Sequence, residues 1–66
     1  MVKPKITILI PAYNNESVIG EAISSAISQL YPYKEIIVVD DLSTDRTYDI
    51  AKSYKEVLAE YKVTNI

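Results

Sequence analysis

Two carboxylates stand side by side at Asp40-Asp41, directly after the apolar run Ile36, Ile37, Val38 and Val39. Adjacent carboxylates repel, and burying both costs several kcal/mol, on the order of 2–7 each, unless each finds donors. Two arrangements satisfy them. In the first, one carboxylate accepts backbone N–H bonds in the turn while the other is solvated. In the second, one accepts the ring N–H of a pyrimidine, and the other fixes the loop or helps to hold a cation. An acceptor-only group suits uracil, whose N3 is a donor. Against cytosine, whose N3 is an acceptor, it leaves a buried charge unpaired.

A second group of candidate residues, Pro11-Ala12-Tyr13-Asn14, follows another apolar run. Tyr13 could fold its ring down onto the following helix, since tyrosine is common where loops meet cores. It could equally offer a platform to a flat base, a contact worth ~1–3 kcal/mol in comparable cases. Glu16 reads as a partner for a helix dipole, and Ser43, Thr44 and Asp45 read as the cap and first turn of a second helix. Tyr31, Tyr33, Tyr48, Tyr54 and Tyr61 read as packing residues. The glycines of a phosphate-cradling loop are missing.

The elements that must position these residues alternate in type. Lys5 to Ile10 is short, apolar and β-branched, and predicts a buried strand ended by Pro11. Asn14 or Asn15 is placed to cap a helix from Glu16 to about Gln29. Its inner stripe is Val18, Ile19, Ala22, Ile23, Ala26, Ile27 and Leu30, spaced by three and four. Gly20 within it reads as a close-packing point, and Pro32 disfavours helix at Tyr31. Glu35 to Val39 predicts a second strand, apolar on both faces as in the middle of a parallel sheet. A second helix is expected from about Asp45, with Ile50, Ala51, Tyr54, Val57, Leu58 and Tyr61 turned inward. Lys62 to Ile66 would begin a third strand.

The fold class is therefore α/β: a parallel Rossmann-like open sheet in the order β-α-β-α-β, with right-handed crossovers. In such sheets ligands bind beyond the carboxyl ends of the strands, where both candidate groups arrive. If successive strands add in one direction, both helices lie on the same face, and the other face is left for further polypeptide or a second copy to cover. Composition narrows the function. With 66 residues and neither Cys nor His, the chain has no disulfide and lacks the commonest zinc ligands. A net charge of −2 offers no cationic stripe for nucleic acid. No apolar run reaches the roughly 20 residues of a membrane span, and the N-terminus has no long apolar signal region, so a cytoplasmic location is the default. A phosphoacceptor receiver domain is a poor fit because its acidic pair follows the first strand; here the pair follows the second. A dinucleotide-binding domain is a poor fit because the first turn has no glycine.

Three blocks, in this order and spacing, closely resemble the start of the family 2 glycosyltransferases: Ile6-Thr7-Ile8-Leu9-Ile10-Pro11-Ala12-Tyr13-Asn14, then Ser24 to Gln29 with Tyr31-Pro32, then Glu35 to Asp45. The likeness extends to about Ala51. It implies a truncated GT-A fold, with residues 1–66 as the N-terminal nucleotide-sugar-binding part of a glycosyltransferase domain. It also implies transfer of a sugar, usually with inversion, from a nucleotide-diphosphate donor, UDP by the acceptor logic above, with Mg²⁺ or Mn²⁺ on the diphosphate. By matching position, Pro11, Ala12 and Tyr13 line the nucleoside pocket, Asp41 meets the uracil N3, and Asp40 is its neighbour. The family's Asp-x-Asp metal motif and catalytic base lie downstream, so no metal or catalytic residue is assigned here, and the chain alone is expected to be inactive. A non-catalytic, self-associating module of the same fold is the alternative. Position 42, commonly Gly in this motif, is Leu, which penalises a left-handed turn; a different loop conformation is expected there.

Overall fold

The computed structural model describes residues 4–55 and 60–65. Three strands and two helices alternate along the chain: β1 (Ile6–Ala12), α1 (Ile19–Ile27), β2 (Lys34–Asp40), α2 (Thr47–Lys52) and β3 (Tyr61–Asn65). The strands form one parallel sheet in the order β1-β2-β3, with Ile8 opposite Ile36 and Val38 opposite Val63. This is the expected β-α-β-α-β open sheet.

Strand alternation divides the sheet into two unlike faces. Ile36 and Val38 of β2 are fully buried, and with Ala12 and Tyr61 they form the core against Ile19, Ile23 and Ala26 of α1 and Ala51 of α2. Both helices therefore cover the same face, as right-handed crossovers in one direction require. On the other face Ile37 and Val39 are half-buried, and Leu9 is 61% exposed. The expectation that β2 is buried on both faces holds for one face only, because no helix of the described chain reaches the second.

Several element boundaries differ from the sequence reading. Pro11 lies inside β1. Ile6 donates its N–H to the Tyr33 carbonyl, and Ala12 accepts from Asp41 N–H at 2.9 Å, so the even-numbered residues of β1 bond toward β2. The Pro11 nitrogen then faces the free edge, where a missing donor breaks no ladder bond. Helix α1 begins at Ile19 and not at Glu16, because residues 16–18 form a turn in which Val18 and Ile19 N–H groups both bond to the Asn15 carbonyl. Neither asparagine side chain caps α1, and Glu16 precedes its first turn. Val18 and Ala22 of the expected stripe are exposed, and Leu30, past the helix end, is 99% exposed.

Helix α2 is shorter than expected and starts at Thr47, with neither Ser43 nor Thr44 as its cap. Tyr61 is buried as expected, but as the first residue of β3. Its hydroxyl donates to the Ala51 carbonyl at 2.5 Å, and burial, with Tyr54 beside it, pushes its pKa up to about 12. Val57 and Leu58 of the expected stripe, and Ile66 of the expected strand, lie outside the described residues. Gly20 is the close-packing point expected: a Cβ there would stand 3.1 Å from the Tyr54 hydroxyl.

Lys34 gave no sequence signal for burial, yet it is 8% exposed. Its ammonium donates to the carbonyls of Ile27 at 2.9 Å and Gln29 at 2.5 Å. A cation so placed takes up orphan carbonyls at the C-terminal end of α1 and complements its dipole. It also welds the start of β2 to the end of the preceding helix.

Leu42 takes φ 54°, in the left-handed region. The turn is thus kept despite the side chain, and the different conformation expected from Leu at this position is not adopted. Two stability measurements follow. Lys34→Met keeps the apolar stem and strips both carbonyls of their partner, and should cost ~1–3 kcal/mol in urea denaturation. Leu42→Gly removes a left-handed penalty of ~1–2 kcal/mol at an entropic cost of ~0.5–1 kcal/mol, so a net gain of about 0.5–1 kcal/mol is expected in the same assay.

Candidate functional site

The carboxyl ends of β1 and β2 are adjacent, with Ala12 opposite Asp40 in register. Beyond them the chain makes two turns that are tied to each other at several points. Asp40 is the anchor. It is 1% exposed, and its carboxylate accepts the Ser43 N–H at 3.0 Å and the Ser43 hydroxyl at 2.5 Å. A buried carboxylate is tolerable only when it is satisfied in this way. Asp40 thus fixes the loop, the part both readings of the acidic pair gave to one of its members.

The Asp40–Ser43 closure leaves Asp41 on the outside of the turn. Its N–H is held by the Ala12 carbonyl, and its side chain is exposed. Tyr13, three residues after the half-buried Ile10 of β1, is 56% exposed; the ring is not folded into the core. Its own N–H donates to the Asn15 side-chain oxygen at 2.8 Å. Pro11, Ala12, Tyr13, Asn15, Val39 and Asp41 line one cleft of about 480 Å³. Four of the five residues singled out in the sequence are therefore gathered around one concavity. Asp40, the fifth, is buried and bound to Ser43, and does not line the cleft.

Asn15 and Val39 line the cleft without having been anticipated. Asn15 had been read only as a helix cap, and Val39 only as strand core; strand alternation places Val39 on the open face, next to Pro11 in register. A further set of contacts ties the two turns together. Asn14 N–H donates to the Ser43 hydroxyl at 2.9 Å, and Asn15 N–H to the Thr47 hydroxyl at 2.7 Å. Glu16 N–H donates to Asp45 at 3.2 Å. Asp45 also accepts the N–H and hydroxyl of Thr47, the fully buried first residue of α2. Desolvation pushes the Asp45 carboxyl up, but the hydroxyl of Thr47 and the N–H groups of Thr47 and Glu16 outweigh it and hold the group below its ordinary value.

The donor set does not make a Mg²⁺ or Mn²⁺ centre. Among the described residues no three His, Cys, Asp or Glu come together at metal-binding distance. Both Asp40 oxygens are already engaged, so Asp41 could offer a cation one side chain at most. What the cleft does offer is an aromatic face, an apolar floor and an unshielded carboxylate. Those are the parts of a site for a flat polar ring carrying an N–H donor. Among the described residues no helix is long and apolar enough to cross a membrane.

Comparison with known proteins agrees with this architecture. The family model described as Glycosyl transferase family 2 matches residues 7–66. The chain is 48% identical over 54 residues to a poly(ribitol-phosphate) beta-glucosyltransferase of Bacillus spizizenii, a match covering 79% of this chain and 8% of the relative. It is 39% identical over 56 residues to a poly(ribitol-phosphate) beta-N-acetylglucosaminyltransferase of Staphylococcus aureus, covering 82% of this chain and 10% of the relative. An uncharacterized glycosyltransferase of Rickettsia typhi is 44% identical over 62 residues, which is 94% of this chain and 20% of that one. Against such relatives the chain spans between 8% and 22% of their length. With a family match over nearly all of its residues and the parallel β-α-β-α-β sheet to go with it, the chain belongs to glycosyl transferase family 2.

Proposed function

We propose that the cleft between the β1 and β2 turns is the nucleoside pocket of a glycosyltransferase that moves a sugar from a nucleotide-diphosphate donor, UDP by preference, to an acceptor. The observation that carries this reading is the placement of Tyr13 and Asp41 on one rim, at the carboxyl ends of adjacent parallel strands. In this pocket the base stacks on the Tyr13 ring, and Asp41 accepts the uracil N3–H. Pro11, Ala12 and Val39 supply the apolar floor, while Asp40 keeps the turn closed from below. Family membership and the names of the relatives support sugar transfer as the reaction class.

Transfer by single displacement also needs charge compensation on the leaving diphosphate and a base for the acceptor hydroxyl. No described residue around the cleft is placed for either task. In this reading the chain supplies the nucleoside pocket and is inactive in transfer by itself. The divalent ion that neutralises the diphosphate, Mg²⁺ or Mn²⁺ as the family resemblance implies, would be held by other parts of a family 2 domain.

A second reading has its own observation. Leu9, Pro11, Ile37 and Val39 form an apolar stripe on the sheet face that carries no helix, and Leu9 is well exposed. Burying that stripe against a second copy would make the chain a self-associating module. Sedimentation equilibrium at micromolar concentration tests this: a dimer that Leu9→Lys converts to monomer is expected, and a monomeric wild type removes the reading.

The leading reading is checked by titrating UDP and CDP against the chain and following backbone amide shifts. UDP should bind weakly, on the order of millimolar, because most diphosphate contacts lie elsewhere. Asp41→Ala should abolish the preference for UDP over CDP. Tyr13→Ala should weaken both by about tenfold, the loss of one stacking contact. Equal affinity of the wild type for the two nucleotides would remove Asp41 as the base reader.

A further inference from the structure

Asn14 lines no part of the cleft, yet more contacts between the two turns pass through it than through any residue that does. Its backbone takes φ 47°, a left-handed conformation that asparagine tolerates better than most side chains. That conformation turns the side chain across to the turn after β2. There its carboxamide oxygen accepts the Thr44 N–H at 2.8 Å, the Thr44 hydroxyl at 3.3 Å and the Asp45 N–H at 3.4 Å. Its own N–H donates in the opposite direction, to the Ser43 hydroxyl. Ser43 is the residue whose N–H and hydroxyl satisfy Asp40.

A chain of contacts therefore runs from Asn14, next to Tyr13, through Ser43 to Asp40, next to Asp41. The two residues proposed to meet the base sit on different turns. Their separation is set by whatever holds those turns together. The Ala12–Asp41 backbone bond fixes the root of the turns, and Asn14 fixes their outer ends.

We propose that Asn14 is a positioning residue: through its carboxamide oxygen it holds the turn after β2 so that Asp41 faces the base on Tyr13, a role that rests on the nucleoside pocket proposed above. It touches no nucleotide in this role and acts through Thr44, Asp45 and Ser43. An acceptor oxygen at this position is what matters, and the amide nitrogen is dispensable. Glycine keeps the left-handed backbone and loses the oxygen; aspartate keeps both.

The experiment compares wild type, Asn14→Gly and Asn14→Asp at pH 7. Amide hydrogen exchange without nucleotide reports the coupling of the turns, and titration with UDP and CDP reports the pocket. In Asn14→Gly the Thr44 and Asp45 amides should exchange at least about tenfold faster, and UDP affinity should fall about tenfold or more, with the preference over CDP reduced. The exchange rates of core amides such as Ile36 and Val38 should be unchanged, which separates this from general loosening. Asn14→Asp should restore slow exchange and the UDP preference to within about threefold of wild type. If Asn14→Gly keeps wild-type UDP affinity and preference, or if Asn14→Asp loses them to the same degree, the positioning role is overturned while the pocket stands. If the wild type itself binds no nucleotide, the pocket falls and the positioning role with it, whatever the exchange rates show.

Discussion

A charge buried at the end of a central strand has few ways to be tolerated, and the way chosen here shapes the edge of the sheet. The Asp40 carboxylate is out of water, so it needs donors within a few residues. Ser43 supplies two of them, from its N–H and its hydroxyl. Within that short loop Leu42 takes a left-handed position, at φ 54°. With Asp40 turned inward and the chain reversed at Leu42, the intervening Asp41 has only the solvent side left to it. The exposed carboxylate of the cleft is a geometric by-product of the buried one. Neither acidic residue can be understood without the other.

The same closure carries Ser43, Thr44 and Asp45 against the turn after β1, and the start of both helices is decided there. Asp45 binds the first N–H of α2 and also the N–H of Glu16. The N–H groups of Asn15, Glu16, Thr44 and Asp45, just ahead of the two helices, are taken by the opposite turn. Both α1 and α2 begin two or three residues later than their side-chain pattern implies. Local rules for helix starts assume that the nearest polar side chain is the partner. Here the N–H groups just ahead of each helix find partners about thirty residues away, while Thr47 N–H keeps its local partner Asp45.

The sheet was legible because β-branched runs without interruption have few alternatives, and their alternation with helical spacing leaves a parallel order as the natural outcome. The site was legible to the extent that it follows from topology. Residues just past the ends of adjacent strands must share an edge, so Pro11, Ala12, Tyr13 and Asp41 could be placed around one cleft in advance. Contacts across the sheet were not legible. Lys34 reads as an ordinary charged residue before a strand, and only the folded path brings the carbonyls of Ile27 and Gln29 to its ammonium. Asn14 and Asn15 have the composition of caps, and nothing local reveals that their partners are Ser43, Thr44 and Thr47. Val18 and Leu30 fit the helical spacing but lie outside the helix that forms, so periodicity carried past both ends of α1.

Pro11 has one more effect. The outward side of β1 is a row of backbone groups belonging to Thr7, Leu9 and Pro11, and such a row is an invitation to foreign strands. Proline has no N–H to offer at its own position, so the free edge is blunted where it meets the cleft. The residue that lines the cleft thereby also removes one donor from the exposed border beside it.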